Sequence, residues 1–167
     1  LAERIGMYKI RNELQDLAFS YMHKEVKDYI CSKLDEFKEE KSDLIDKIIA
    51  KLTMILSSED IKFNISGREK NPYSIWKKMK NRQVSFDNIY DVMAFRIIVD
   101  SFTDCYKILG AINYNFNMIP GSFKDYISTP KENGYQSIHV AILGPENKKI
   151  EIQIRDKKMH EVSEMGL

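Results

Sequence analysis

Two hydrophobic periods divide the chain. Over the first 56 residues, apolar side chains recur every three or four positions. Ile5, Tyr8, Ile10, Leu14, Leu17 and Phe19 are spaced this way within 1–22. Val26, Ile30, Leu34 and Phe37 continue the pattern, followed after Ser42 and Asp43 by Leu44, Ile48, Leu52 and Ile55. Such spacing puts one apolar stripe on a helix, so helices are predicted over 1–22 and 23–56, with the interspersed charges forming a solvated face. From residue 61 the period shortens to two. Ile61, Phe63 and Ile65 alternate with Lys62, Asn64 and Ser66 until Gly67, which predicts a strand.

The rest of the chain mixes both periods. "NPYSIWKKMKNR" (71–82) predicts a short helix, with Asn71 as its cap and Pro72 in its first turn. "YDVMAFRIIVD" (90–100) is a mostly apolar, branched run expected to be a buried strand, in which Arg96 is out of place. A helix follows over "SFTDCYKILGAINYNF" (101–116). "SIHVAILG" (137–144) and "KKIEIQIRD" (148–156) then predict two strands joined by a hairpin-like turn over 144–147. In the second, Ile150, Ile152 and Ile154 share one face, and Glu151, Gln153 and Arg155 share the other. "KKMHEVSEMGL" (157–167) begins a last helix. This order predicts an α+β fold, with a mixed or largely antiparallel β-sheet flanked by helices. A helical segment over 1–57 precedes the sheet-forming unit over 58–167.

Composition adds limits. At 167 residues and 43% hydrophobic, the chain is long enough for a real core. Its 26 basic and 25 acidic residues nearly cancel, so any preference for anions must be local. Cys31 and Cys105 lack metal-ligand spacing and read as reduced thiols of a cytoplasmic protein. No apolar run approaches the ~20 residues that span a bilayer, so no membrane partner is expected. A start at Leu1, inside a helical pattern, suggests a piece of a longer protein.

Three stretches are hard to explain by packing alone. Residues 62–82 hold seven Lys or Arg against one acid, Glu69. Arg68 and Lys70 lie just before the helix that begins at Pro72, where free N–H groups and the helix dipole favour an anion such as a polyphosphate. A solvated basic helix fits the same residues. The connection over 118–136 has two prolines and two glycines, and it is long for a structureless loop. It carries Lys124 and Lys131 beside Phe123, Tyr126 and Tyr135, which suits cations on phosphates and a ring on a base. It also suits an Ω-loop packed by its own aromatics. Finally, Asp91 and Glu151 stand on or beside apolar strands. Together they could hold Mg²⁺ with phosphate oxygens or deprotonate a hydroxyl; separately, they could be surface carboxylates. His139 has the same two readings, structural or in a site.

In combination, "GREKNPYSIWKKM", "YDVMAFRIIV", "FKDYISTPKENGYQSIHV" and "IEIQIRDKKMHEVSEMGL" resemble the synthetase domain of the RelA/SpoT family. "DCYKILGAINYNFNMIPG" is similar to that family's intervening helix and turn, and the opening "LAERIGMYKIRNELQDLAF" resembles the segment linking hydrolase and synthetase domains in its long members. The resemblance implies a nucleotidyltransferase-like fold and transfer of pyrophosphate from ATP to the 3′-hydroxyl of GDP or GTP, with Mg²⁺, or Mn²⁺, as cofactor.

Carried onto this chain, the resemblance implies ATP contacts from Arg68, Lys70, Ser74 and Lys78, and metal binding by Asp91. Lys124 would serve the reaction and Lys131 the phosphates, with Tyr135 stacked on guanine. Asn133, Gln136 and His139 would lie on the acceptor side. Glu151 would be the second metal-side carboxylate and the general base, with Gln153 and Arg155 beside it. Where long bifunctional members carry an Arg-x-Lys-Asp signature, this chain reads "SFKD", with Ser122 in the arginine's position. A second reading follows from Ser122 and the end at Leu167: a weakened domain that binds guanine nucleotides and regulates a larger protein. Ribosome or regulatory-domain contacts are expected only of a full-length protein. No His-Asp motif for alarmone hydrolysis occurs in these residues.

Overall fold

A computed structural model describes residues 8–67, 71–86, 93–144 and 149–165. Helix α1 (Tyr8–Met22) and the 33-residue helix α2 (Lys24–Leu56) lead the chain, followed by a short 3-10 turn, Ser57–Glu59. Strand β1 (Phe63–Gly67) begins two residues later than the alternation suggests, after the left-handed Asp60 (φ 52°). Helix α3 (Pro72–Arg82) starts as predicted: Asn71 Oδ1 accepts the Ser74 N–H at 3.2 Å and Pro72 occupies the first turn. Then come β2 (Met93–Val99), α4 (Phe102–Asn115), the two-residue β3 (Lys124–Asp125), β4 (Ile138–Leu143), β5 (Lys149–Asp156) and α5 (Lys157–Met165). Ser101 caps α4 by accepting the Asp104 N–H at 3.2 Å.

The sheet has the order β1-β2-β5-β4-β3, and β2–β5 is its parallel pair among antiparallel neighbours. It is therefore mixed. β4 and β5 pair antiparallel as a hairpin should, although residues 145–147 of the expected turn lie outside the described residues. The edge beyond β4 is irregular. Met118 bridges Ile142, yet six residues further on Lys124 pairs with His139, only three back along β4. The excess chain bulges out between the two contacts, as extra residues in a ladder must.

The two faces of the sheet differ in kind. Phe95, Ile97 and Val99 of β2, the three isoleucines of β5, and Ile138, Val140 and Ile142 of β4 are all buried on one side. They pack against Ile108 and Ile112 of α4 and Ile48, Leu52 and Leu56 of α2. A smaller core joins Phe19 of α1, Ile30 of α2, Ile75 of α3 and Phe86. Helix α2, about 50 Å long at 1.5 Å per residue, contributes to both. Cys105 is fully buried in the main core, where burial first, and then the charges of Asp156 and Asp104, push its thiol up to about 12. It is thus a packing residue with almost no thiolate at neutral pH.

On the other face, paired positions line up a polar row across every strand: Ser66, Arg96, Gln153, His139 and Lys124. Arg96, out of place in an apolar run, belongs to this row. No helix among the described residues is long and apolar enough to cross a membrane. If α2 is a core element and not a loose lead-in, Leu52→Ala should cost about 2–5 kcal/mol in urea unfolding, whereas Met54→Ala on the exposed side of the same helix should stay within about 0.5 kcal/mol of the parent.

Candidate active site

The polar face opens into a cavity of about 590 Å³. Its floor is the sheet: Lys149, Glu151 and Gln153 from β5, and His139 with Ala141 from β4. Strand alternation puts the three β5 side chains on one side at two-residue intervals, because the intervening isoleucines are committed to the core. Helix α3 forms one wall through Lys78 and Arg82, four residues apart and so on one helix face. The helix is anchored by buried Ile75, with Trp76 and Met79 packed beside it.

The third wall is the 118–136 connection, which is ordered by its own polar atoms. Asp125 Oδ1 accepts the N–H groups of Ile127 and Ser128, both at 2.9 Å. Its Oδ2 accepts the hydroxyls of Ser128 at 2.7 Å and of Tyr106 at 3.0 Å. Burial pushes this carboxyl upward, but the four hydrogen bonds outweigh it and hold the group below its ordinary value. Buried Ile127 pins the same turn to the core. Farther along, Asn133 Oδ1 accepts the Tyr135 N–H at 3.2 Å, and Gly134 takes the left-handed conformation (φ 73°) that this tight turn requires. The Tyr135 hydroxyl is 2.8 Å from His139 Nε2. Tyr126 meets both rings edge-on, and the Lys131 ammonium lies 4.6 Å from the Tyr126 ring centre and 5.2 Å from that of Tyr135. The loop is packed by its own aromatics, and it also turns Lys124, Lys131, Asn133 and Tyr135 into the cavity.

Ser122 also lines the cavity, and its hydroxyl is built into the bulged edge. Oγ donates to Ile119 O at 2.6 Å and accepts the Ala141 N–H at 3.1 Å. The serine therefore does the work of a missing ladder residue and offers the cavity no charge.

Of the residues expected in a site, Lys78, Lys124, Lys131, Asn133, Tyr135, His139, Glu151 and Gln153 come together around this cavity. Arg68, Lys70 and Asp91 lie outside the described residues. Ser74 is exposed in the first turn of α3 and Gln136 donates to Ile127 O at 3.3 Å; neither is in the cavity wall.

Arg155 goes elsewhere. It shares the face of Glu151 and Gln153, but α5 covers that end of the sheet and leaves it 1% exposed. Its guanidinium donates to Ser163 Oγ and, at 3.3 Å, to Glu164 Oε1. The same Glu164 oxygen lies 3.5 Å from Arg96 and 3.8 Å from His160 Nδ1. Burial, and then the positive charges of Arg155 and Arg96, hold the His160 imidazole below its usual range.

Two charged cavity residues were not singled out as site residues from the sequence: Arg82 and Lys149. Arg82 was visible as one of the basic run and also as four residues after Lys78. Lys149 had a signal in its spacing, two residues before Glu151 on the same strand face.

The described wall thus sets five basic side chains, Lys78, Arg82, Lys124, Lys131 and Lys149, against one acidic one, Glu151. A polyanion such as a nucleotide would neutralise that excess, an aromatic platform stands at one end, and a carboxylate able to accept a proton lies in the middle.

A family model described as "Region found in RelA / SpoT proteins" matches residues 67–167. The GTP pyrophosphokinase rsh of Brucella melitensis is 42% identical over all 167 residues, but the chain spans only 22% of that relative's length. Among solved structures, the small alarmone synthetase 2 from Bacillus subtilis superposes with a TM-score of 0.62 at 28% identity, over 77% of this chain and 76% of that one. The small alarmone synthetase 1 from the same organism, bound to its product pppGpp, shares the fold with a TM-score of 0.61 at 24% identity, over 79% of this chain and 78% of that one.

The anchoring of the loop by Asp125 is testable by pH. A carboxyl held below 3.8 in the folded chain stabilises it fully above that value and loses its contribution as pH falls through the lower folded value. Amide hydrogen exchange should show Ile127 and Ser128 protected above about pH 4 and progressively exposed below it. In Asp125→Ala both amides should exchange quickly at every pH, while the core of β5 stays protected.

Proposed function

The chain belongs to the RelA/SpoT family, and from that membership and the cavity's chemistry we propose that it transfers the β,γ-pyrophosphate of ATP to the 3′-hydroxyl of GDP or GTP, yielding AMP and (p)ppGpp. The observation that carries this reading is the single described carboxylate, Glu151, set among five lysine and arginine side chains in a cavity that Tyr135 also lines.

In this mechanism guanine stacks on Tyr135, with Asn133, His139 and Gln153 on the acceptor side. Glu151 accepts the proton of the 3′-hydroxyl. The freed oxygen attacks the β-phosphorus of ATP, a new P–O bond forms there, and the bond to the α,β-bridging oxygen breaks. AMP leaves with that oxygen. Lys78, together with Arg68 and Lys70, holds the donor phosphates. Ser74, at the start of α3 and outside the cavity wall, is a further contact only for a donor that extends to that helix end. Lys124 and Lys131 offset the charge that builds up during transfer. Phosphoryl chemistry of this kind depends mainly on positioning and charge neutralisation, which suits a site made of fixed strands and an anchored loop.

A divalent ion fits the donor set. Glu151 makes no ion pair or side-chain hydrogen bond with another described residue, and Mg²⁺ needs only one or two carboxylates when phosphate oxygens complete its shell. Glu151, with Asp91, would hold it, and the ion would supply neutralisation of the phosphate charge. Gln136 shapes the loop through its bond to Ile127 O. Arg155 acts through β5, by tying α5 to the strand that carries Glu151 and Gln153. The substrates imply a bacterial cytoplasmic setting in the stringent response, and ribosome or regulatory contacts belong to a longer protein.

With ATP, GDP and Mg²⁺ the chain should form AMP and ppGpp on thin-layer separation. Glu151→Gln should lower turnover by about 10²–10⁴-fold while both nucleotides still bind. Binding of both nucleotides without any product from the parent chain would overturn the enzymatic reading.

A further inference from the structure

Lys149 belongs to the cavity, yet the mechanism above leaves it without a task. It is half-buried at the start of β5, two residues before Glu151 and on the same face. Register orders the floor into steps. Gln153 faces His139, beneath Tyr135; Glu151 faces Ala141; Lys149 faces Leu143. At ~3.3 Å per strand residue, each step is roughly 6.6 Å. The aromatic platform and Lys149 therefore lie on opposite sides of Glu151, each about one step away.

That order has a chemical consequence. If a base rests on Tyr135 and its ribose hydroxyl is at Glu151, the group being attacked must come from the side away from the base. In-line displacement puts the leaving group farther out along the same direction. Lys149 is on that side. None of the ion pairs among the described residues involves Lys149, Arg82 or Lys78. By contrast, the neighbouring Lys80 rests on the Trp76 ring at 5.2 Å and takes no part in the cavity wall. The serine at 122, hydrogen-bonded into the bulged edge, supplies no charge to this part of the wall.

We propose that Lys149 is a donor-side phosphate ligand, gripping the nucleoside triphosphate on the side of Glu151 opposite the Tyr135 platform, with Arg82 of α3 as its partner across the cavity. The assignment rests on the transferase reading above. It gives Lys149 direct contact with substrate, and it distinguishes the two ends of β5: Gln153 serves the acceptor and Lys149 the donor.

The test separates this assignment from the reading it rests on. Product formation by the parent chain tests the reading. Direct binding of an ATP analogue with a methylene between its α- and β-phosphorus tests Lys149, because no bond need break. Lys149→Gln should weaken analogue binding about tenfold, as expected for loss of one charge-assisted contact. GDP binding should change less than twofold, and Lys149→Arg should recover most of the loss. In steady state the same variant should raise KM for ATP more than it lowers kcat. Arg82→Gln should weaken the analogue in the same direction. A loss confined to GDP would overturn the donor assignment. So would unchanged analogue binding, or an unchanged KM with a shifted pH profile of kcat, which would make Lys149 a neighbour that tunes Glu151. A thermal melt equal to the parent's excludes unfolding as the cause of weaker binding.

Discussion

Everything in this molecule depends on the register of β5. It is paired on both sides, parallel to β2 and antiparallel to β4, and its three isoleucines are 0–1% exposed. A slip of one residue would drive Glu151, Gln153 and Arg155 into the apolar core and turn the isoleucines toward the cavity. Burial of those isoleucines is thus what aims the carboxylate. The polar face needs no separate device to orient it, because the hydrophobic face opposite has already excluded every other arrangement. The same constraint extends sideways: Ser66, Arg96, His139 and Lys124 take their places in the polar row through pairing with strands whose alternate residues are buried.

The polar face is not uniform, and its two ends follow different electrostatics. At the Arg155 end, α5 closes over the sheet, and charge is handled internally by one Glu164 oxygen shared among Arg96, Arg155 and His160. Burial and the two guanidinium groups keep His160 low, so the cluster does not gather a third full positive charge at neutral pH. At the Glu151 end the sheet is the floor of the cavity, and among the described residues the cations outnumber the carboxylate. Like charges held within one cavity repel, which is tolerable where water screens them and favourable once a polyanion enters. One strand face is thereby divided into a closed structural half and an open chemical half, with Gln153 and Arg96 at the boundary.

Much of this was legible in the sequence, for identifiable reasons. Helices and strands whose apolar residues keep one period were read within a few residues, and Asn71-Pro72 marked the start of α3 because cap and ring geometry act locally. The β4–β5 pairing followed from a short turn between two alternating runs. What did not follow is the long-range part. Alternation said that Arg155 shares a face with Glu151, but which stretch of that face α5 covers is decided by where the helix lands after Asp156. Lys149 carried the spacing of a site residue without any feature to separate it from an exposed lysine. Ser122 read as a departure from a motif, and only the three-residue excess of the edge explains why a hydroxyl is useful there.

The 118–136 loop shows how order and chemistry can be kept apart in one segment. Asp125 gives four acceptor contacts to its own turn and to Tyr106, so its charge is committed within the fold. Its neighbour Lys124 is exposed at the cavity and paired in the ladder only through its backbone, opposite His139. Tyr135 repeats the division within a single residue: its hydroxyl is fixed by His139 and its N–H by Asn133, and the ring is held by those two contacts. A loop anchored in this way would lose little conformational freedom on binding a ligand, since its backbone is already set. That preorganisation matters most for a reaction whose catalyst is largely placed charge. Glycines at 121 and 134 take the left-handed positions of this connection, and between them the chain presents two cavity cations, Lys124 and Lys131, and the Asn133 side chain.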